Sequence, residues 1–259
     1  MSGEVPVGFS AVDHDPFADV PLTRAVPSTE PQREVWLADQ LGIAASLAYN
    51  ESVSLRLRGP LDVAGLQAAL RALVARHDAL RATFGSDGQT LYIAETVALD
   101  IRSIALDALP ATEREAAAAK VLRDEVDRGF DLEQGPLLRV RLLKLQAQEH
   151  LLVLTAHHIV CDGWSFGVLV NDLGQLYAGQ LGQAPDLPAA VSFTDYALAQ
   201  AARAASPEEL ADEAYWTGRF ADGAPLLDLP TDRPRRAQRS FASQRLDVRL
   251  DAGDRKSVV

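Results

Sequence analysis

The sequence predicts an α+β fold, an αβ sandwich with a mixed sheet flanked by helices, and three observations carry that reading. Val53, Leu55 and Leu57 alternate with Ser54, Arg56 and Arg58, the period of a half-buried strand. Residues 137–145 and 151–157 are two apolar runs parted by the polar stretch 146–150, which reads as a hairpin. Between strand patterns, Val63, Leu66, Leu70, Leu73 and Val74 recur at helical spacing. With 259 residues and 47% hydrophobic content the chain buries a sizeable core, as one large domain or two smaller ones.

In chain order, residues 1–27 mix Pro, Gly, Asp and scattered apolar residues without a period and read as a linker or lead-in. Order is expected from Ser28. Thr29 N-caps a short helix with Gln32 three positions on and Pro31 in its first turn, running to about Leu41 before Gly42. After the strand at 52–59, Asp62 caps the second helix, which leads through residues 76–84 into a structured turn. The run 85–88 (GSDG) and then Leu91, Tyr92 and Ile93 give a turn and a strand. Thr112 with Glu115 is expected to cap an alanine-rich helix that Gly129 ends. The hairpin follows, and residues 165–177 return to a helical pattern. Gly, Gln and Pro at 179–188 mark a connector, Ser206 opens a helix carrying Tyr215 and Trp216, and 244–250 alternates like a strand. No internal repeat is present.

Composition excludes several function classes. Lys+Arg 25 against Asp+Glu 36 gives 25 − 36 = −11, which disfavours nucleic acid and anionic membrane surfaces as partners. A single cysteine, Cys161, leaves no intrachain disulfide and no cysteine-based zinc site, and suits a reducing compartment. The first 25 residues do not resemble a signal peptide, and no later stretch is long and uncharged enough to span a bilayer, so a cytoplasmic location is expected.

The chemistry concentrates at His157, His158, Ile159, Val160, Cys161, Asp162, Gly163, Trp164 and Ser165, where an apolar strand ends and a helix begins with free backbone N–H groups. Adjacent strand residues point to opposite faces, so the two imidazoles divide their roles: one locks the turn and the other faces a cavity. Spacing alone does not say which. Asp162 either orients an imidazole or pairs with an arginine to hold the loop, and Gly163 lets a backbone N–H approach a reacting oxygen. Taken by itself, a His-His pair at a strand end is more often a satisfied polar edge; the following Asp-Gly shifts the balance toward chemistry. No metal is expected, because neighbouring histidines diverge and no third ligand sits at a suitable spacing. Cys161 reads as a buried small hydrophobe rather than a nucleophile. There is no phosphate-cradling glycine loop and no G-x-S-x-G elbow.

Several stretches, in order, resemble the condensation domains of nonribosomal peptide synthetases, relatives of chloramphenicol acetyltransferase. Residues 28–41 (STEPQREVWLADQL) are similar to the family's first motif, 76–84 (RHDALRATF) to its second, and 156–165 (AHHIVCDGWS) to its His-His-x-x-x-Asp-Gly motif. Residues 193–200 (FTDYALAQ) resemble the fourth, with Phe193 where Tyr is usual and Ala199 where Trp is common, and 229–234 (LPTDRP) resembles the inter-lobe stretch. The resemblance implies two chloramphenicol acetyltransferase-like lobes forming a V around a substrate tunnel. The family's later motifs have no counterpart before Val259, so the chain is expected to be a shortened piece: lead-in at 1–27, first lobe at 28–180, and connector with the start of a second lobe at 181–259.

By that resemblance the reaction is attack of an acceptor aminoacyl thioester's amine on a donor acyl or peptidyl thioester, within a peptide or hybrid polyketide/peptide synthetase. His158 matches the second histidine and is expected to face the cavity, as proton acceptor or as a positioning and stabilising group. His157 and Asp162 would be structural, Asp162 pairing with Arg81 or else Arg76, and Gly163 would offer its N–H beside the thioester. Trp164 and Ser165 are tunnel candidates that more often pack and cap the next helix. The resemblance implies no cofactor in the domain itself, substrates on phosphopantetheine arms of upstream donor and downstream acceptor carrier proteins, and contacts with other synthetase modules. Rival readings are an epimerization domain, a stand-alone acyltransferase of the same superfamily, and an inactive carrier-protein docking fragment. Heterocyclization is disfavoured because that branch typically replaces both histidines.

Overall fold

The computed structural model describes residues 22–204 and 206–225 and the isolated positions 230–232, 234 and 241. All its elements lie within the first of two compact units, Met1–Pro225. The lead-in as far as residue 21, residues 229 and 233 of the 229–234 motif and the expected strand at 244–250 fall outside the described residues.

A four-stranded sheet is the centre of the fold. Its strands are β2 (Asn50–Arg58), β5 (Asp100–Ala105), β6 (Leu138–Gln146) and β7 (Glu149–His157), in the order β2-β7-β6-β5. β2, β7 and β6 pair antiparallel, while β5 runs parallel to β6, so the sheet is mixed as expected. The β6–β7 hairpin is tighter than its polar stretch indicated, turning on Ala147 and Gln148 alone. A second, three-stranded sheet, β1-β4-β3, is built from β1 (Leu22–Pro27), β3 (Ala82–Phe84) and β4 (Thr90–Ala94).

The larger sheet is covered on both faces, which explains the unbroken apolar run of β7. Leu152, Leu154 and Ala156, with Leu138, Val140 and Leu142 of β6, pack against α3 (Val63–Arg76) and α5 (Gly163–Gln180). Leu151, Val153, Leu143 and Leu145 face the other way, onto Ala117, Ala118, Val121 and Leu122 of α4 (Ala111–Val126). Arg139 and Arg141 alternate with apolar residues as on a solvent-facing strand, yet they are only 4% and 3% exposed. Glu125 of α4 lies over both, 3.2 Å from Arg139 and 2.8 Å from Arg141, so their charges are matched inside the protein.

The remaining helices are α1 (Glu30–Asp39), α2 (Ile43–Leu47), α6 (Phe193–Arg203) and α7 (Pro207–Arg219). The Thr29–Gln32 capping box and the Asp62 cap form as expected. Other details differ from expectation. Residues 22–27 are not lead-in: they pair with β4 as an edge strand, a pairing that local composition does not encode. β5 and α2 have no clear periodicity. Helix α4 starts two residues earlier than expected, after Pro110, which puts Thr112 inside it. Helix α6 occupies residues for which no element was expected, whereas α7 follows Ser206 as expected.

Candidate active site

Three elements converge on the His-His run. β7 ends at His157, whose N–H donates to Leu137 O at 3.1 Å, and the next N–H, from His158, donates to Tyr49 O beyond the end of β2 at 2.8 Å. Val160 N–H then closes a turn on His157 O at 3.1 Å. From α1, Gln32 Nε2 donates to Ile159 O at 3.1 Å and ties the turn to the helix that Gln32 itself helps to cap.

The two imidazoles diverge as the strand period requires. His157 is fully buried, with Phe130 edge-on to its ring at 6.0 Å. Its Nδ1 accepts the Ile159 N–H at 3.2 Å, so in the neutral ring the proton sits on Nε2. Nε2 lies 3.3 Å from Oδ1 of Asp39 in a bent contact, with no other partner for either atom among the described residues. Burial works to raise the Asp39 pKa, but the polar contacts from His157 and Ser46 outweigh it and hold the carboxyl below its ordinary value.

His158 is half-exposed and lines a cavity of about 630 Å³. Its Nδ1 is buried 2.5 Å from Glu51 Oε1 in a bent contact short of hydrogen-bond angles, while Nε2 is not buried and makes no hydrogen bond among the described residues. Its ring stacks with Tyr49 at a centroid distance of 6.2 Å. The cavity takes its other walls from α1 (Pro31, Val35), from the turn at His77 to Leu80, from the first half of α5 and from the start of α6. No group of His, Cys, Asp or Glu among the described residues is arranged to hold a metal ion.

The expected ion pairs of Asp162 are not formed. Asp162 is exposed and N-caps α5: it accepts the Ser165 N–H at 2.7 Å and the Ser165 hydroxyl at 2.6 Å, and Ser165 Oγ accepts the Asp162 N–H at 3.2 Å. Those hydrogen bonds hold its carboxyl below the usual range, so no cation is required. Arg81 instead donates to the carbonyls of Val74 and Ala75 at the end of α3 and of Ala94 at the end of β4. Arg76 pairs with Asp172 of α5 at 2.9 Å and donates to Pro188 O. Gly163 is the first residue of α5, with open space where a Cβ would stand, and Trp164 on the cavity rim is 84% exposed. Cys161 is buried, and burial first of all, with the negative charges of Glu51 and Asp162 adding to it, pushes its thiol up to about 12, which disfavours it as a nucleophile.

Several residues at the site were not singled out by sequence reasoning. Asp78 accepts the Phe193 N–H at 2.9 Å, the Thr194 N–H at 3.3 Å and the Ser192 hydroxyl at 2.7 Å, fastening the start of α6 to the cavity wall. His77 on the same wall directs Nε2 at Asp172, 3.0 Å away. Asp39 and Glu51 each carried a signal. Asp39 closes a helix whose C-terminal end disfavours negative charge, and Glu51 extends the inward-facing series of Val53, Leu55 and Leu57 back by one position.

A family profile described as "Condensation domain" matches residues 23–258. Malpinin synthetase of Mortierella alpina is 35% identical over 244 residues, 93% of this chain and 3% of that protein. Phosphinothricin tripeptide synthetase PhsC of Streptomyces viridochromogenes is 39% identical over 218 residues, 82% of this chain and 20% of that protein. Among solved structures, the starter condensation domain of rhizomide synthetase RzmA superposes with a TM-score of 0.71 at 28% identity, over 78% of this chain and 49% of that one. A structure of the X-domain with OxyB from teicoplanin biosynthesis gives a TM-score of 0.71 at 31% identity, over 85% and 49%. The chain thus spans a small part of these curated relatives and about half of the matching solved chains.

Proposed function

The chain belongs to the condensation domain family of nonribosomal peptide synthetases, and from that premise we propose that it contributes the His-bearing lobe that joins two carrier-bound substrates through an amide bond. The observation that carries this reading is the position of His158. It is the one of the two imidazoles that lines the cavity, with Nε2 unengaged, while His157 spends both nitrogens inside the fold.

In the proposed reaction the amine of an aminoacyl thioester attacks the carbonyl carbon of an acyl or peptidyl thioester. The C–N bond forms, an amine proton passes to Nε2 of His158, and collapse of the tetrahedral intermediate breaks the C–S bond. The departing thiolate takes the proton back. Asp162 acts by fixing the start of α5, whose first-turn N–H groups at Gly163 and Trp164 make no hydrogen bond among the described residues and remain available to a developing oxyanion. Ser165 serves through the cap, and Trp164 stands at the rim where a pantetheine arm would enter.

The substrates would arrive on phosphopantetheine arms of donor and acceptor carrier proteins, with neighbouring synthetase modules as partners and no cofactor in the lobe itself. No helix among the described residues is long and apolar enough to cross a membrane. The single cysteine, kept as a buried thiol, supports a cytoplasmic location.

The test is amide formation from a loaded donor and a loaded acceptor carrier protein, followed by mass spectrometry of the acceptor arm. It is run with the full parent synthetase and with this chain alone. Appearance of the amide on the acceptor with the parent supports the reading. An acceptor that stays unacylated, or that only changes configuration at its α-carbon, contradicts it.

A further inference from the structure

We propose that Glu51 is a positioning residue for His158: its carboxylate keeps the imidazole proton on Nδ1 and thereby presents Nε2 to the cavity as an acceptor. The inference deepens the condensation reading and rests on it for the role of Nε2.

The argument begins in the strand. In β2 the residues at 53, 55 and 57 face the sheet's helical cover and pack against the core, and Glu51 stands next in that same series. A carboxylate on an inward strand position is costly unless it is partnered. No lysine or arginine pairs with it among the described residues; its partner is Nδ1 of His158 at 2.5 Å. That nitrogen is itself buried, and its close approach to Glu51 is bent away from hydrogen-bond angles, so the pair stands as a charge contact with no hydrogen bond to Nδ1 from any described residue.

Register, rather than a mobile loop, sets their separation. Asn50 is registered with His157 and Glu51 with Ala156, and the ladder continues through the His158 N–H to Tyr49 O. Tyr49, stacked on the imidazole, limits rotation of the ring. With Nδ1 holding the proton against Glu51, the lone pair is on Nε2. When Nε2 takes a proton from the attacking amine, the ring becomes cationic and the Glu51 carboxylate offsets that charge until the proton leaves with the thiolate.

The test compares Glu51→Leu and Glu51→Gln with the unchanged protein. Leucine completes the apolar face of β2 while leaving the buried Nδ1 without its partner, so the fold is expected to hold with at most a modestly lower melting temperature. Long-range 15N–1H NMR correlations on the full chain report which nitrogen of His158 bears the proton. Nδ1–H is expected in the unchanged protein and its loss in Glu51→Leu. In the parent synthetase, kcat should fall about tenfold in Glu51→Leu with KM held within about twofold, and Glu51→Gln, which keeps an acceptor oxygen, should lie between. An unchanged tautomer together with an unchanged kcat in Glu51→Leu overturns the proposal. His158→Ala in the same assay reports on the condensation reading separately: full turnover there would sink that reading while the NMR result still decides the role of Glu51.

Discussion

Nε2 of His157 lies 3.3 Å from Oδ1 of Asp39, joining the last residue of β7 to the last residue of α1 behind the cavity. Neither atom has another partner among the described residues. Removing the carboxylate by Asp39→Ala leaves a buried N–H without an acceptor, an expected loss of about 1–3 kcal/mol in denaturant unfolding. A change within about 0.5 kcal/mol would show that the contact carries no weight.

The two buried arginines of β6 depend on one acid. Glu125→Leu strips Arg139 and Arg141 of their shared carboxylate, leaving Asp100 at 3.0 Å as the acid beside Arg141 and backbone carbonyls as the remaining acceptors. We expect a cost of about 3–5 kcal/mol, read as a lowered urea midpoint and a poor soluble yield. Equal stability would mean that the guanidinium groups reach water.

Asp162 and Arg81 stabilise the fold separately. Asp162→Ala removes a helix cap worth about 1 kcal/mol, and Arg81→Ala releases three carbonyls between α3 and β4. Their double variant should be additive to within about 0.5 kcal/mol. A coupling energy above about 1 kcal/mol would restore the ion pair expected from sequence.

Acid should weaken the cavity walls together. Asp39, Asp78 and Asp172, where contacts overcome the opposing effect of burial, and Asp162, held by Ser165, all lie below the ordinary value of 3.8 in the folded chain. Their stabilisation is therefore complete above that value and lost as pH falls through the lower folded values. The melting temperature should be level from neutrality to about pH 5 and drop below about pH 4. Asp78→Asn should make that drop shallower and speed amide exchange at the start of α6, where Asp78 receives the Phe193 and Thr194 N–H groups.

Much of this arrangement is legible in local pattern. Strand period placed β2 and the β6–β7 hairpin, caps placed α1 and α3, and the divergence of adjacent strand residues foretold that His157 and His158 would face apart. Pairing across long separations was not legible. β1 becomes a strand only because β4 lies beside it, β5 gains its order from parallel pairing with β6, and Arg139 and Arg141 look solvent-facing until α4 covers them. The partner of Asp162 was misread for a related reason. A carboxylate before a helix has a local solution in the Ser165 capping box, and that solution removes the need for a distant arginine. Asp39 and Glu51 escaped notice because a carboxylate's partner is fixed by tertiary register, although each sat where its own element disfavours a charge.

The most direct measurement is the rate of amide formation by the parent synthetase carrying His158→Ala, with donor and acceptor carriers loaded and the variant's melting temperature taken alongside. The account predicts a fall in kcat of about 10²–10⁴ with the melting temperature unchanged. A folded His158→Ala variant that condenses at the original rate would contradict it.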